Sequence, residues 1–222
     1  MIKLKDIIKE YGIDSANKVT ALGGINLEIK EGEVVVLKGA SGSGKSTILS
    51  LIAALNKPTS GEVVVDSERI SKLSDDFASE FRRKNIGFIF QNYNLLPTLS
   101  VSQNIILPLV PMNLDKEVVQ ERLQRVLRMF NIEHKQNQLV KNLSGGEAQR
   151  VAIARANINN PKIILADEPT ANLDEKLSLS FIEILKELKS EKKTVVVATH
   201  DPLFFNLDFV DKEIEISHGS II

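Results

Sequence analysis

Residues 39–47, "GASGSGKST", set three glycines, a lysine and four hydroxyls in a stretch that fits G-x-x-x-x-G-K-[ST]. Gly39, Gly42 and Gly44 allow the backbone to wrap closely. The N–H groups running from Gly39 through Ala40, Ser41, Gly42 and Ser43 to Gly44 can then surround phosphate oxygens. Lys45 has the length to reach β- and γ-phosphates, the Ser46 hydroxyl can ligate Mg²⁺, and Thr47 can cap the α-phosphate. The apolar run "IILADE" ends in Asp167 and Glu168. Asp167 is placed to complete a metal site with Ser46, and Glu168 to polarise an attacking water. A nucleotide switch could keep Asp167 and dispense with Glu168, so the second carboxylate points to hydrolysis. Gln91, closing "FIFQ", reads either as an amide that touches the metal or the lytic water, or as a surface residue at a strand end. His200, closing "VVVATH", reads as a γ-phosphate donor or as a structural histidine. The end of a buried strand is where α/β sheets gather ligands.

A second device of similar chemistry lies in "NLSGGEAQR", residues 142–150. Ser144 is a helix N-cap, and Gly145 and Gly146 leave the first backbone N–H groups uncovered, so this helix start is also built to meet an anion. One short chain thus carries two phosphate-facing helix starts.

The elements that must hold these residues are strands and helices in alternation. Strand-like runs fall at 25–30, 33–38, 61–66, 85–90, 162–167, 194–199 and 212–217. "VVVL", "IILA" and "VVVA" are continuously apolar, as central strands buried on both faces are. "INLEIK" and "KEIEIS" alternate apolar and polar residues and predict half-exposed strands in an antiparallel layer. Helices are expected over 45–55, 70–84, 115–130 and 174–190. Leu177, Phe181, Ile184, Leu185 and Leu188 share one face of the last, and Val119, Leu123, Val126, Leu127 and Phe130 one stripe of the third. The expectation is an α/β fold with a mainly parallel central sheet. One domain spans 1–222, with a core of about 1–91 and 161–222 and a helical subdomain inserted at about 92–160.

Composition removes several function classes. The 222 residues are 43% hydrophobic and 26% charged, ordinary for a globular chain. With no cysteine there is neither a disulfide nor a thiolate metal site, and His134, His200 and His218 are too scattered to suggest a metal cluster by spacing. A net charge of −1, with Lys and Arg spread along the chain, is no nucleic-acid footprint. "MIKLKDIIKEYG" lacks the apolar core of a signal peptide, and the longest apolar runs are far short of a membrane span. A soluble, cytoplasmic chain is expected.

The ordered motifs resemble the ATP-binding subunit of ATP-binding cassette (ABC) transporters over nearly the whole chain. They are "GASGSGKS", Gln91 in "FIFQN", "LSGGE", "IILADEPT", "NLD" at 172–174 and "THD" at 199–201. The resemblance implies an ATPase with ATP and Mg²⁺ as cofactors. It implies two subunits sandwiching two ATP molecules head to tail, so that Ser144, Gly145 and Gly146 act on the partner's ATP. That would explain the two helix starts. It further implies that Asp174 sits at the seam between sites, that Tyr11 stacks on adenine, and that Val19 lines that pocket. "NLLPTLSVSQNI" and "LSGGEAQRVAIARA" are similar to the branch holding lipoprotein-releasing, macrolide-export and cell-division ATPases. Ala171 and Asn157 depart from that branch's commonest residues, at positions that do not handle phosphate. A membrane permease is the implied partner, engaged from the inner face of the membrane. The apolar loop with Leu95, Leu96, Leu99 and Ile105 either packs inward or receives a helix of that permease. Two other functions compete: a cell-division regulator acting on a cell-wall hydrolase, and a DNA-repair ATPase.

Overall fold

The computed structural model describes residues 2–12, 18–171 and 173–222. Among them two sheets form. The first is antiparallel, in the order β2 (Val19–Ile29), β1 (Ile2–Tyr11), β4 (Ser60–Val65). The second runs β5 (Ile86–Ile89), β6 (Ile163–Asp167), β7 (Thr194–Thr199), β3 (Val34–Lys38), β8 (Lys212–Ser217), β9 (Ser220–Ile221), parallel throughout except for the β8–β9 hairpin.

The period of two along the central strands divides the core. Val34 and Val36 of β3, Ile164 and Ala166 of β6, and Val195 and Val197 of β7 face one cluster, shared with helices. Val35, Leu37, Ile163, Leu165, Val196 and Ala198 face the other, which the antiparallel sheet closes. Each of these side chains is essentially inaccessible, and a fully buried Val, Leu or Ile contributes about 1.5–3 kcal/mol. Burial on both faces is the physical reason the runs read as continuously apolar.

Six helices of α type accompany the sheets among the described residues: α1 (Lys45–Ile52), α2 (Asp75–Asn85), α3 (Val101–Ile106), α4 (Lys116–Met129), α5 (Gly145–Asn157) and α6 (Glu175–Ser190). No strand falls between 92 and 160 among the described residues. There α4 buries Leu123, Val126 and Leu127, and Phe130 just beyond it. Val119 is only partly buried against that cluster. In α6 Phe181, Ile184, Leu185 and Leu188 are buried as the spacing requires.

The structure corrects four expectations. "KEIEIS" is not part of the antiparallel layer: as β8 it pairs in parallel with β3 in the central sheet. Its alternation arises because only Ile216 is fully buried there. The first helix stops at Ile52 and leaves Leu55 46% exposed. The 70–84 stretch is a short 3₁₀ turn at Ile70–Lys72 followed by α2, not one helix. Finally, β5 ends at Ile89, so Gln91 lies in the turn beyond it. Two strands were not anticipated, β1 and the two-residue β9. In β1 the alternation of Ile2 and Leu4 is interrupted between Leu4 and Ile7, where the register shifts and Asp6 takes φ 50°. The extra residue returns Ile7 to the buried face, which conceals the period in the sequence.

Candidate nucleotide site

The loop from Gly39 to Gly44 joins the buried end of β3 to the start of α1. Gly39 cannot be replaced by a residue with a side chain: a Cβ there would lie 2.2 Å from the Ile216 carbonyl oxygen. Gly44, the N-cap of α1, has φ 111°, which only glycine adopts freely. This bend opens the first-turn N–H groups of α1 toward a cavity of about 210 Å³. Ser41 to Thr47 line it from below, and Gln91, Glu168 and His200 close it from other elements. Gly39 and Ala40 lie on the other side of the loop, in a neighbouring cavity against β8.

Lys45, Ser46, Glu168 and His200 converge there, with Asp167 behind Ser46. Lys45 is 4% exposed, and its ammonium donates to the carbonyls of Gly39 (2.7 Å) and Ala40 (3.0 Å). It also lies 3.4 Å from Glu168 Oε1. The Ser46 hydroxyl donates to Asp167 Oδ1 at 2.8 Å, joining the two residues expected to share a metal. Burial pushes the Asp167 carboxyl above the ordinary carboxylate range, and the neighbouring Glu168 charge adds to this. The Ser46 hydroxyl and the Lys45 ammonium oppose that rise. Glu168 is held at φ 43°, with its N–H donating to Ala198 O at 2.8 Å. This unusual backbone aims its carboxylate between Lys45 and His200, whose Nδ1 lies 3.0 Å from Oε2 and whose N–H donates to it at 3.3 Å.

The second helix start lies elsewhere. Ser144 caps α5 in a capping box: its hydroxyl accepts from the Glu147 N–H at 3.4 Å, and Glu147 Oε2 accepts from the Ser144 N–H at 2.9 Å. The Ser144 N–H, Lys135 at 3.1 Å and the Ser144 hydroxyl hold the Glu147 carboxyl below the usual range. Ser144 and Gly145 are exposed. Gly146 is buried, and a Cβ there would lie 2.6 Å from Leu177 Cδ2. Its smallness serves packing of α5 against the first turn of α6. None of the three lines the cavity over the Gly39–Gly44 loop.

Asp174 caps α6, accepting the Leu177 N–H at 2.8 Å. Asn172, quoted with it, lies outside the described residues. Tyr11 and Val19 are register partners at the β1–β2 end, 41% and 58% exposed, and neither lines the cavity. The Lys9 ammonium lies 4.8 Å from the Tyr11 ring centroid, over one face of it.

Two contacts were not expected. Gln149, 3% exposed on α5, donates to Pro169 O at 3.0 Å, directly behind Glu168. Thr170, 4% exposed, donates to Asp201 Oδ2 at 2.9 Å, tying the chain after Glu168 to the chain after His200. An amide on the apolar stripe of "EAQRVAIAR" was the one available signal for Gln149.

A family model described as ABC transporter matches residues 22–171. An uncharacterised ABC transporter ATP-binding protein of Methanocaldococcus jannaschii is 43% identical over 222 residues, covering 100% of this chain and 98% of that protein. The macrolide export ATP-binding/permease protein MacB of Vibrio parahaemolyticus is 39% identical over the whole of this chain, which spans 34% of MacB. Among solved structures, the ATP-binding cassette MJ0796 of M. jannaschii, a dimer in a post-hydrolysis state bound to ADP and Pi, superposes with a TM-score of 0.91. That match has 43% identity and covers 100% of this chain and 96% of that one. No described helix is long and apolar enough to cross a membrane.

Proposed function

The chain belongs to the ABC transporter family as an ATP-binding, ATP-hydrolysing subunit, and from that premise we propose how its residues divide the work. Two copies close head to tail around two ATP molecules. In each site the N–H groups from Gly39 to Thr47 hold the phosphates. Lys45 leaves the Gly39 and Ala40 carbonyls for the β- and γ-phosphates, a short swing for a four-carbon stem. Glu168 is the general base: its carboxylate accepts the proton of the attacking water, and His200 fixes its orientation while facing the γ-phosphate. The supporting observation is the convergence of Lys45, Ser46, Glu168 and His200 on one phosphate-sized cavity, with Asp167 bonded to Ser46.

Ser46 and Asp167, with the Gln91 amide, would hold Mg²⁺. Hydroxyl, carboxylate and amide oxygens are the hard donors this ion takes, and the 2.8 Å Ser46–Asp167 contact already brings two of them together. The ion's contribution when bound is to neutralise charge on the phosphate oxygens.

Ser144 and the exposed Gly145 N–H cap the partner's γ-phosphate, while Gly146 keeps α5 seated on α6. Asp174 lies at the seam, and Tyr11 stacks on adenine with the ring face that Lys9 leaves open. The subunit works on the cytoplasmic face of the membrane, attached through a permease that chooses the cargo. The relatives named above are transporter components, which favours this reading over a cell-division regulator or a DNA-repair ATPase. Glu168→Gln tests the assignment. The amide keeps shape but accepts no proton, so turnover should fall by about 10²–10⁴-fold. ATP binding should persist, and an ATP-stabilised dimer should accumulate on a sizing column. Hydrolysis near the parental rate would overturn the role of Glu168.

A further inference from the structure

Gln91 is carried by a turn that its own residues resist. The Tyr93 N–H donates to Phe90 O at 2.9 Å and the Asn94 N–H to Asn92 O at 2.6 Å, the latter closing a three-residue turn around Tyr93. Tyr93 and Asn94 have φ of 58° and 46°, two successive non-glycine residues in the left-handed region. The Tyr93 hydroxyl is buried without a hydrogen-bond partner. Each of these features is unfavourable alone, so something outside the turn must hold it.

That group is Arg155, near the C-terminal end of α5. Its guanidinium donates to Asn94 O at 2.6 Å through Nη1 and to Tyr93 O through Nη2, a two-pronged clamp on consecutive carbonyls. Among the described residues no carboxylate pairs with it. A half-buried cation with only backbone carbonyls as partners is costly to desolvate, so those two carbonyls supply the compensation it has. Both clamped carbonyls belong to residues with positive φ. The clamp and the strained turn therefore define each other.

We propose that Arg155 is the positioning residue for Gln91: by holding the Tyr93 and Asn94 carbonyls it keeps the 90–94 turn in the one conformation that presents Gln91 to the reacting phosphate. This rests on the reading of Gln91 given above. The same helix begins at Ser144, which would face the partner's nucleotide. Arg155 thus makes one rigid element touch both sites.

Arg155→Lys is the perturbation, because lysine keeps stem and charge but is a point donor that cannot span both carbonyls. In the full chain, kcat for ATP should fall by about 10–100-fold, as expected when a reacting group is misplaced by an ångström, with KM and nucleotide affinity unchanged. In a Gln91→Ala background the same substitution should cost nothing further, since its target is gone. Asn94→Gly added to Arg155→Lys should recover much of the lost rate, because glycine accepts the left-handed conformation without a clamp. A residue that merely stabilises α5 would not be rescued this way. Amide exchange over 91–95 should rise in Arg155→Lys, and this readout does not depend on what Gln91 does. Unchanged exchange overturns the clamp, and an equal loss with and without Gln91 overturns its link to Gln91. Full turnover by Gln91→Ala alone would instead sink the reading of Gln91, leaving exchange and glycine rescue to judge the clamp.

Discussion

Gly146→Ala should impair the subunit through Leu177 and not through phosphate. A Cβ at Gly146 would lie 2.6 Å from Leu177 Cδ2 and 3.1 Å from Cδ1. Carbon atoms rest at about 3.5–4.0 Å, so Leu177 must retreat by roughly an ångström. Alanine gains about 1 kcal/mol over glycine inside a helix. Overpacking costs about 1–3 kcal/mol. The net loss is thus about 0–2 kcal/mol, which at about 2–4 °C per kcal/mol for a chain of this size is a modest fall in melting temperature. The functional loss should be larger. The Leu177 N–H is the group that Asp174 caps, so displacing Leu177 shifts the residue proposed for the dimer seam. ATP-dependent dimerisation, followed by sizing chromatography in the Glu168→Gln background, should weaken more than the melting curve. Leu177→Ala removes the opposing atoms. The double variant should therefore be better than the sum of the singles, with a coupling of about 0.5–3 kcal/mol. Strictly additive losses would mean that Gly146 is needed for approach to phosphate, and the packing argument would fail.

Two other outcomes follow from particular contacts. The Glu147 carboxyl titrates lower in the folded chain than in the unfolded one, so its stabilisation is complete above pH 4.5 and is lost as pH falls through the lower folded value. Glu147→Gln, which keeps the capping geometry but not the charge, should flatten the acid limb of a plot of melting temperature against pH; an unaltered limb would show that the Glu147 charge does not stabilise the helix start. Leu96 is 47% exposed, while its N–H and carbonyl are pinned by the buried Asn104 at 2.7 and 3.1 Å. Leu96→Glu should leave melting temperature and nucleotide binding intact yet abolish capture by the subunit's permease, and undiminished capture would exclude this loop as the docking site.

What could be read before folding is what is encoded locally. The glycine spacing of 39–44 sets a backbone path by itself, and Ser144 with Glu147 three residues later is a complete helix start. The buried strands announced themselves because both their faces are apolar. Long-range contacts left weaker traces. Thr170 and Asp201 meet only after β6 and β7 align, and nothing adjacent to either residue foreshadows it. Arg155 reads as an ordinary helix arginine until the turn 61 residues earlier folds against it. Alternation in "KEIEIS" reports one exposed face, which the margin of a parallel sheet shares with an antiparallel layer. In β1 a single extra residue hid the period, although Ile2, Leu4 and Ile7 all reach the core. The apolar loop after Gln91 is divided: Ile105 is core, Leu95 and Leu99 are partly covered, and Leu96 stays outward.

If each ATP is handled by the Gly39–Thr47 loop of one subunit and Ser144 of the other, mixing two inactive variants should restore turnover. Ser144→Arg blocks closure over a partner's ATP but leaves its own loop intact, and Lys45→Ala weakens its own phosphate site but keeps Ser144. Each alone should hydrolyse almost no ATP. In an equal mixture, half the dimers pair the two variants and each such dimer holds one complete site, so activity should return to about a quarter of the parental value, less any coupling between sites. No recovery on mixing, together with loss of ATP binding by isolated Ser144→Arg monomers, would place Ser144 in its own subunit's site and contradict the account.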